Sequence, residues 1–204
     1  MINIVIPMAG AGSRFAKAGY KNPKPFIDVL GKPMICHVLD NLNIPDAKFI
    51  LLTRFEHYNN EQETVKWIKS NYKVEFVMID KLTEGAACTV LHAHRLINND
   101  TPLLIANSDQ IVDMDISEYI NDSKKRGLDG SVLCFEDNDK KWSYAKLDKN
   151  RFITEIREKE VISKNATVGI YYFNKGRDFV ENAIDMIVRN ERVNNEFYVA
   201  PVYN

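Results

Sequence analysis

Short apolar runs alternate with helix-period patterns through the first half of the chain, and few folds accept that alternation. Ile2–Met8, Lys48–Thr53, Val74–Ile79 and Pro102–Asn107 read as strands. Pro33–Leu42, Asn59–Asn71 and Gly85–Ile97 lie between them with helical spacing. In the first of these helices Met34, Ile35, Val38, Leu39 and Leu42 follow a proline start. Strand, helix, strand with short connections implies right-handed crossovers and a mostly parallel sheet. Such sheets bind ligands at the carboxyl ends of their strands. Gly10–Arg14, Thr83–Ala87 and Asn107–Asp109 each fall near such an end, so distant residues converge on one crevice.

The first of these ends is the richest in chemistry. The run Ile4-Val5-Ile6-Pro7-Met8 leads into Ala9-Gly10-Ala11-Gly12-Ser13-Arg14, and Asn22-Pro23-Lys24-Pro25-Phe26 follows. Glycines let bare backbone approach a ligand, and Arg14 and Lys24 add cations without obvious local partners. Backbone N–H groups and cations at a strand's carboxyl end suit a polyphosphate. Two familiar phosphate loops are excluded. A P-loop needs Gly-Lys-Ser/Thr at positions occupied here by Phe15, Ala16 and Lys17. A dinucleotide fingerprint needs a third glycine where Phe15 stands.

With 204 residues, 45% hydrophobic and 27% charged, the chain is long enough to bury a sizeable core as a single domain, 1–204. A net charge of -1 gives no reason to expect nucleic acid or an anionic membrane as partner, so a phosphate site has to be a local basic pocket. Cys36, Cys88 and Cys134 are odd in number and far apart, which reads as free thiols in a reducing compartment rather than a zinc site. The N-terminus has no positive region before its apolar residues, and no apolar run approaches the ~20 residues of a membrane span. A cytoplasmic protein is expected.

The second half changes character. Gly130–Glu136 and Ala145–Leu147 look like strands around a charged loop, Asp137–Trp142. Phe152–Glu155 and Thr167–Phe173 add strand signal. Asp178–Asn190 reads as a helix with Phe179, Val180, Ala183, Ile184 and Ile187 on one side. The chain divides at this change into a first half, 1–115, and a second half, 116–204. The aromatic ending Phe197–Asn204 should pack on something, and a continuation beyond it is expected.

Taken by itself, Asp109 is the best candidate metal ligand, since it follows the buried run Leu103–Ala106. A plain capping aspartate is the competing reading. Asp113 and Asp115 look more like the start of a helix. His92 and His94 are two apart, so on a helix their side chains diverge and make no metal clip.

Gly-Ala-Gly-Ser-Arg followed by Pro-Lys-Pro and by Val29-Leu30-Gly31-Lys32-Pro33-Met34-Ile35 resembles the signature of the sugar-phosphate nucleotidyltransferases. That resemblance implies a Rossmann-like α/β fold, a mostly parallel sheet flanked by helices, with a smaller mixed-strand part in the C-terminal half. It implies that Arg14 and Lys24 are catalytic, on the leaving phosphates and the α-phosphate. It places the nucleotide against Met8, Ala9, Gly10, Ala11, Gly12, Ser13, Thr83, Gly85, Ala86 and Ser108. Asn107-Ser108-Asp109 resembles the family's Gly-Asp metal site, with Asp109 holding Mg²⁺ and Ser108 where glycine is usual. Glu158-Lys159 before Gly169-Ile170-Tyr171-Tyr172-Phe173 resembles the family's acceptor element, so Lys159 would hold the acceptor phosphate and Gly169 would leave room for its body. The second metal aspartate of relatives is missing, its place falling at Pro201; Glu196, where relatives make acceptor contacts, either substitutes for it or leaves the metal to Asp109 and phosphate oxygens.

Within that family the chain is similar to small capsule-locus cytidylyltransferases. The implied donor is CTP and the implied acceptor a small phosphorylated metabolite such as L-glutamine phosphate, for surface-polysaccharide synthesis. A sugar-1-phosphate uridylyl- or thymidylyltransferase is the alternative. A glycosyltransferase consuming nucleotide-sugars is less favoured, because Arg14 and Lys24 would then lack the extra phosphate they serve.

Overall fold

The computed structural model describes every residue from Met1 to Asn204. β1 (Ile2–Pro7) leads through the glycine loop to a short helix α1 (Ser13–Lys17), a 3₁₀ turn at Lys24–Phe26 and a small hairpin, β2 (Asp28–Val29) and β3 (Lys32–Pro33). Then come α2 (Met34–Asn41), β4 (Ala47–Arg54), α3 (Phe55–Asn60), α4 (Gln62–Asn71) and β5 (Val74–Ile79). α5 (Ala86–Leu91), α6 (His94–Ile97), β6 (Leu103–Ala106) and α7 (Ile116–Lys125) complete the first part. β7 (Gly130–Glu136), β8 (Ser143–Leu147), β9 (Ile153–Glu158), β10 (Asn165–Phe173), α8 (Gly176–Val188) and a closing 3₁₀ turn at Ala200–Tyr203 form the rest.

The strands make one sheet in the order β5-β4-β1-β6-β10-β8-β9, with β7 also on β10. The first four are parallel. β10 runs antiparallel to β6, to β7 and to β8. Tyr171 pairs with Ile105 and with Val132, and Ala166 pairs with Phe135 and with Tyr144. β6 and β8 therefore share one edge of β10 while β7 takes the other.

Side chains alternate across a strand, and that period divides the core in two. Val5, Ile50, Leu52, Leu103, Ile105, Tyr171 and Phe173 face α5, α6 and α8. Ile4, Ile6, Phe49, Leu51, Leu104, Ala106 and Tyr172 face α2, α4 and α7. Both faces of the inner strands are covered, which explains why β1, β4 and β6 read as continuous apolar runs.

Three helices differ from the sequence reading. The run Gly85–Ile97 breaks into α5 and α6, because His92 N–H and Ala93 N–H bond three residues back, to Thr89 O and Val90 O, and tighten the chain. The run Asn59–Asn71 breaks at Glu61, where ψ is 36°. The last helix starts at Gly176, where a Cβ would collide with Ile97 O, and ends at Val188. Ile184, expected inside, is 48% exposed. Phe179, Val180, Ala183 and Met186 keep the helical period and fill the inner face instead.

Leu104 is fully buried between β1 and β10, whereas Val188 is 78% exposed at the end of α8. Leu104→Ala should cost about 2–5 kcal/mol in urea unfolding, and Val188→Ala less than about 0.5 kcal/mol.

Candidate active site

The carboxyl ends of β1 and β6 and the cleft-facing ends of β8, β9 and β10 border one cleft of about 880 Å³. One wall is the loop Gly10–Arg14 with Lys24; the opposite wall carries Lys159, Glu196 and Tyr198. Ser108, Asp109 and Gln110 form the floor between them with Asn107.

None of the backbone N–H groups of Ala9, Gly10, Ala11 and Gly12 donates a hydrogen bond within the protein. Four consecutive free amides in a turn make a concavity that favours anions. Gly12 has φ +59°, the left-handed conformation that turns the chain into α1. Arg14 on α1 is exposed and has no acidic partner. Lys24, in the 3₁₀ turn, makes an ion pair with Asp109 across 85 residues of sequence, and its ammonium stands 5.7 Å from the Phe15 ring centre. Asp109 and Lys24 each keep about a third of the side chain exposed, 34% and 27%.

At the other end Lys159 follows β9 with φ +58°, and its N–H donates to Trp142 O at 3.0 Å. Its ammonium donates to the Tyr198 hydroxyl at 2.6 Å. Burial, and after it the neighbouring Glu196 carboxylate, pushes the Tyr198 phenol well up, so it keeps its proton. Glu158 accepts a hydrogen bond from Ser143 Oγ. Burial raises the Glu158 carboxyl above its ordinary value, partly offset by Ser143 and Lys159.

Of the residues singled out in sequence, Met8, Gly10, Ala11, Gly12, Ser13, Arg14, Lys24, Ala86, Ser108, Asp109, Lys159, Gly169 and Glu196 line this cleft. Ala9, Thr83 and Gly85 are not among its lining residues. Ala9 is 2% exposed in the core. Thr83 Oγ1 donates to Gly85 O at 3.2 Å and meets Thr89 Oγ1 at 2.5 Å. A Cβ on Gly85 would collide with the backbone of Phe197, and Ala87 N–H donates to Phe197 O at 3.0 Å. Gly85 thus makes room for another chain segment. Gly169 also differs from expectation: a Cβ there would collide with the side-chain amides of Asn107 and Gln110. The space it leaves is filled by protein. Pro201 lies in the closing 3₁₀ turn, whose neighbours Ala200 and Val202 are core. Asp115 caps α7, accepting from Ser117 N–H at 2.8 Å.

Trp142, Tyr171, Thr167 and Tyr198 also line the cleft and were not singled out. Trp142 had the clearest signal, an aromatic residue ending a charged loop. Its indole N–H is fixed by Asp137 Oδ2 at 2.9 Å.

The fold is an α/β protein whose first parallel strand ends in a glycine turn with free amides, and this turn shares one cleft with Lys24, Asp109 and Lys159. The chain belongs to the nucleotidyl transferase family, whose pattern matches residues 4–198. It is 28% identical over 199 residues to the bifunctional protein GlmU of Methanococcus vannielii, covering 94% of this chain and 44% of that protein. It is 22% identical to the mannose-1-phosphate guanylyltransferase catalytic subunit beta of Drosophila pseudoobscura pseudoobscura, over 83% of this chain and 47% of that one. The chain thus spans less than half the length of these curated relatives. Among solved structures, the nucleoside-diphosphate-sugar pyrophosphorylase of Vibrio cholerae RC9 superposes with a TM-score of 0.79 and 26% identity, over 98% of this chain and 86% of that one. A UDP-glucose pyrophosphorylase complexed with UDP-glucose superposes with a TM-score of 0.77 at 19% identity, over all of this chain and 86% of that one; this likeness concerns the fold. No helix is long and apolar enough to cross a membrane.

The raised carboxyl of Glu158 has a consequence for stability. Between pH 4.5, the ordinary value, and its higher folded value, the unfolded chain releases the proton while the folded chain holds it. Ionisation therefore destabilises the fold as pH rises through that window. Glu158→Gln should be more stable than the wild type at pH 7, with the gap closing below pH 4.5, as read by urea unfolding at both pH values.

Proposed function

We propose that this chain transfers a nucleoside monophosphate from an NTP to the phosphate of a small phosphorylated acceptor and releases pyrophosphate. The acceptor's phosphate oxygen attacks the α-phosphorus; the new P–O bond forms as the bond to the β-phosphate's bridging oxygen breaks, and the electron pair leaves with pyrophosphate. The acceptor is already an anionic nucleophile, so alignment and charge neutralisation carry most of the catalysis.

The observation that carries this reading is a single cleft with a free-amide loop and two cations at one end and Lys159 at the other. Arg14 would hold the β- and γ-phosphates as they leave. Lys24 would hold the α-phosphate, exchanging its Asp109 partner for the nucleotide. Lys159 would position the acceptor phosphate, with Glu196 beside it. The protein gathers no three His, Cys, Asp or Glu side chains into a metal cage. A Mg²⁺ ion coordinated by one carboxylate together with phosphate oxygens and waters fits what Asp109 offers, and would supply charge neutralisation on the phosphates.

For the donor and acceptor, the sequence resemblance favours CTP and a small phosphorylated metabolite such as L-glutamine phosphate, handled for surface-polysaccharide synthesis. The relative named for mannose 1-phosphate and guanylyl transfer favours a sugar 1-phosphate and another base as the second reading. Pyrophosphate release, measured for CTP, UTP, dTTP, ATP and GTP against L-glutamine phosphate, α-D-glucose 1-phosphate, N-acetyl-α-D-glucosamine 1-phosphate and α-D-mannose 1-phosphate, decides between them. Consumption of NTP only with acceptor supports the reaction class; no pyrophosphate from any pair sinks it. Lys24→Ala should lower kcat ~10²-fold or more while circular dichroism and melting stay near wild type, since one preorganised charge contact is worth a few kcal/mol.

A further inference from the structure

The segment carrying Glu196 and Tyr198 belongs to no long helix or strand, yet it is held at several points. Val193 and Glu196 exchange two backbone hydrogen bonds of 3.0 Å. Between them Asn194 and Asn195 sit at φ +51° and +62°, the tight-turn conformation that asparagine tolerates best among larger residues. Phe197 is 1% exposed and anchors the segment in the core. Its N–H donates to Glu84 O at 2.7 Å and its carbonyl accepts from Ala87 N–H at 3.0 Å.

Arg192 closes this arrangement. Its Nη1 lies 2.8 Å from Glu84 Oε2, and its guanidinium carbon stands 4.6 Å from the centre of the Phe197 ring. Its Nε donates to Asn190 Oδ1 at 2.5 Å. A planar guanidinium suits this combination, stacking on a ring while its edges bind oxygen. Arg192 itself does not line the cleft. Glu84 precedes Gly85, whose missing Cβ admits the Phe197 backbone, and Ala86, which does line the cleft. The segment that faces the acceptor is thereby fastened to the turn that opens α5.

We propose that Arg192 is a positioning residue for the acceptor: it clamps the 193–198 turn onto the Glu84–Ala87 loop and so sets the placement of Glu196 and Tyr198, and of Lys159 through Tyr198. The proposal rests on the nucleotidyltransferase reading for its kinetic consequence, and on the geometry alone for its structural one. α5 is anchored independently by Ala87 and Val90, both fully buried, so loss of the clamp loosens the acceptor side and leaves the nucleotide side in place.

The test compares wild type, Arg192→Ala and Arg192→Lys. In the ligand-free proteins, amide hydrogen exchange across 193–198 should quicken at least several-fold in the alanine variant, with exchange in β1 and β6 unchanged. Steady-state kinetics use CTP with L-glutamine phosphate and UTP with α-D-glucose 1-phosphate. In the pair that wild type turns over, Arg192→Ala should raise the acceptor KM ~5-fold with the donor KM within ~2-fold, as expected for loss of one partly exposed ion pair and one cation–π contact. Arg192→Lys keeps a cation over Phe197 and should recover most of both effects. Unchanged exchange at 193–198, an equal rise in both KM values, or a lysine variant no better than alanine overturns the proposal. If wild type gives no pyrophosphate from these pairs or from any other NTP and acceptor of the panel above, the kinetic premise is lost, and the exchange comparison still decides whether Arg192 holds the segment.

Discussion

The architecture turns on β10. This strand alone touches the parallel half, through β6, and the antiparallel half, through β7 and β8. Its last residues, Ile170–Phe173, continue the sheet beyond β6, while Ala166 pairs with β8 on the same edge. The register slips between Thr167 and Tyr171, around Gly169 at φ +83°. A bulge of this kind bends a strand and re-aims its side chains. Beyond it β8 and β9 carry Ser143, Glu158 and Lys159 to the cleft that the glycine loop also lines.

Two of the cleft's cations have partners within the protein, while Arg14 has none. Lys24 neutralises Asp109, and Lys159 leans on Tyr198. Both contacts are partly exposed, and pairs of that kind contribute only about 0–1 kcal/mol. On the proposed reading, a triphosphate would offer Lys24 several oxygens in place of one carboxylate and leave Asp109 free for a cation. A chain of net charge -1 thus gathers three cations, Arg14, Lys24 and Lys159, in one cleft without a global positive field.

Much of the first half was legible because parallel strands buried on both faces must be apolar throughout, and Ile2–Met8, Lys48–Thr53 and Pro102–Asn107 show it. The convergence of Arg14, Lys24 and Asp109 on one cleft followed from topology, since carboxyl ends of parallel strands meet at one edge of the sheet. The helix breaks at Glu61 and at His92–Ala93 were not legible. They arise from backbone hydrogen bonds three residues back, or from one unusual ψ, with no proline or glycine to announce them. Trp142 was missed for a related reason. A lone aromatic in a charged loop carries no period, and only the fold shows that the 137–142 turn hangs over the cleft.

Gly85 and Gly169 show where reading a glycine as open space goes astray. A glycine near a ligand site signals that something approaches its α-carbon closely, and sequence does not say what. At Gly169 the neighbours are the amides of Asn107 and Gln110, which bond each other at 2.6 Å, and Asn107 N–H donates to Gly169 O at 3.1 Å. This fixes the chain immediately before Ser108 and Asp109. At Gly85 the neighbour is Phe197, which sets the turn bearing Glu196. Each glycine therefore ties one half of the cleft to the other: β10 to the Asp109 loop, and the C-terminal turn to the opening of α5. Replacing either would leave every charged side chain present while changing the distance between the two ends of the cleft. For an in-line transfer that distance is what matters, because misplacement by about an ångström at the reacting centre costs orders of magnitude in rate.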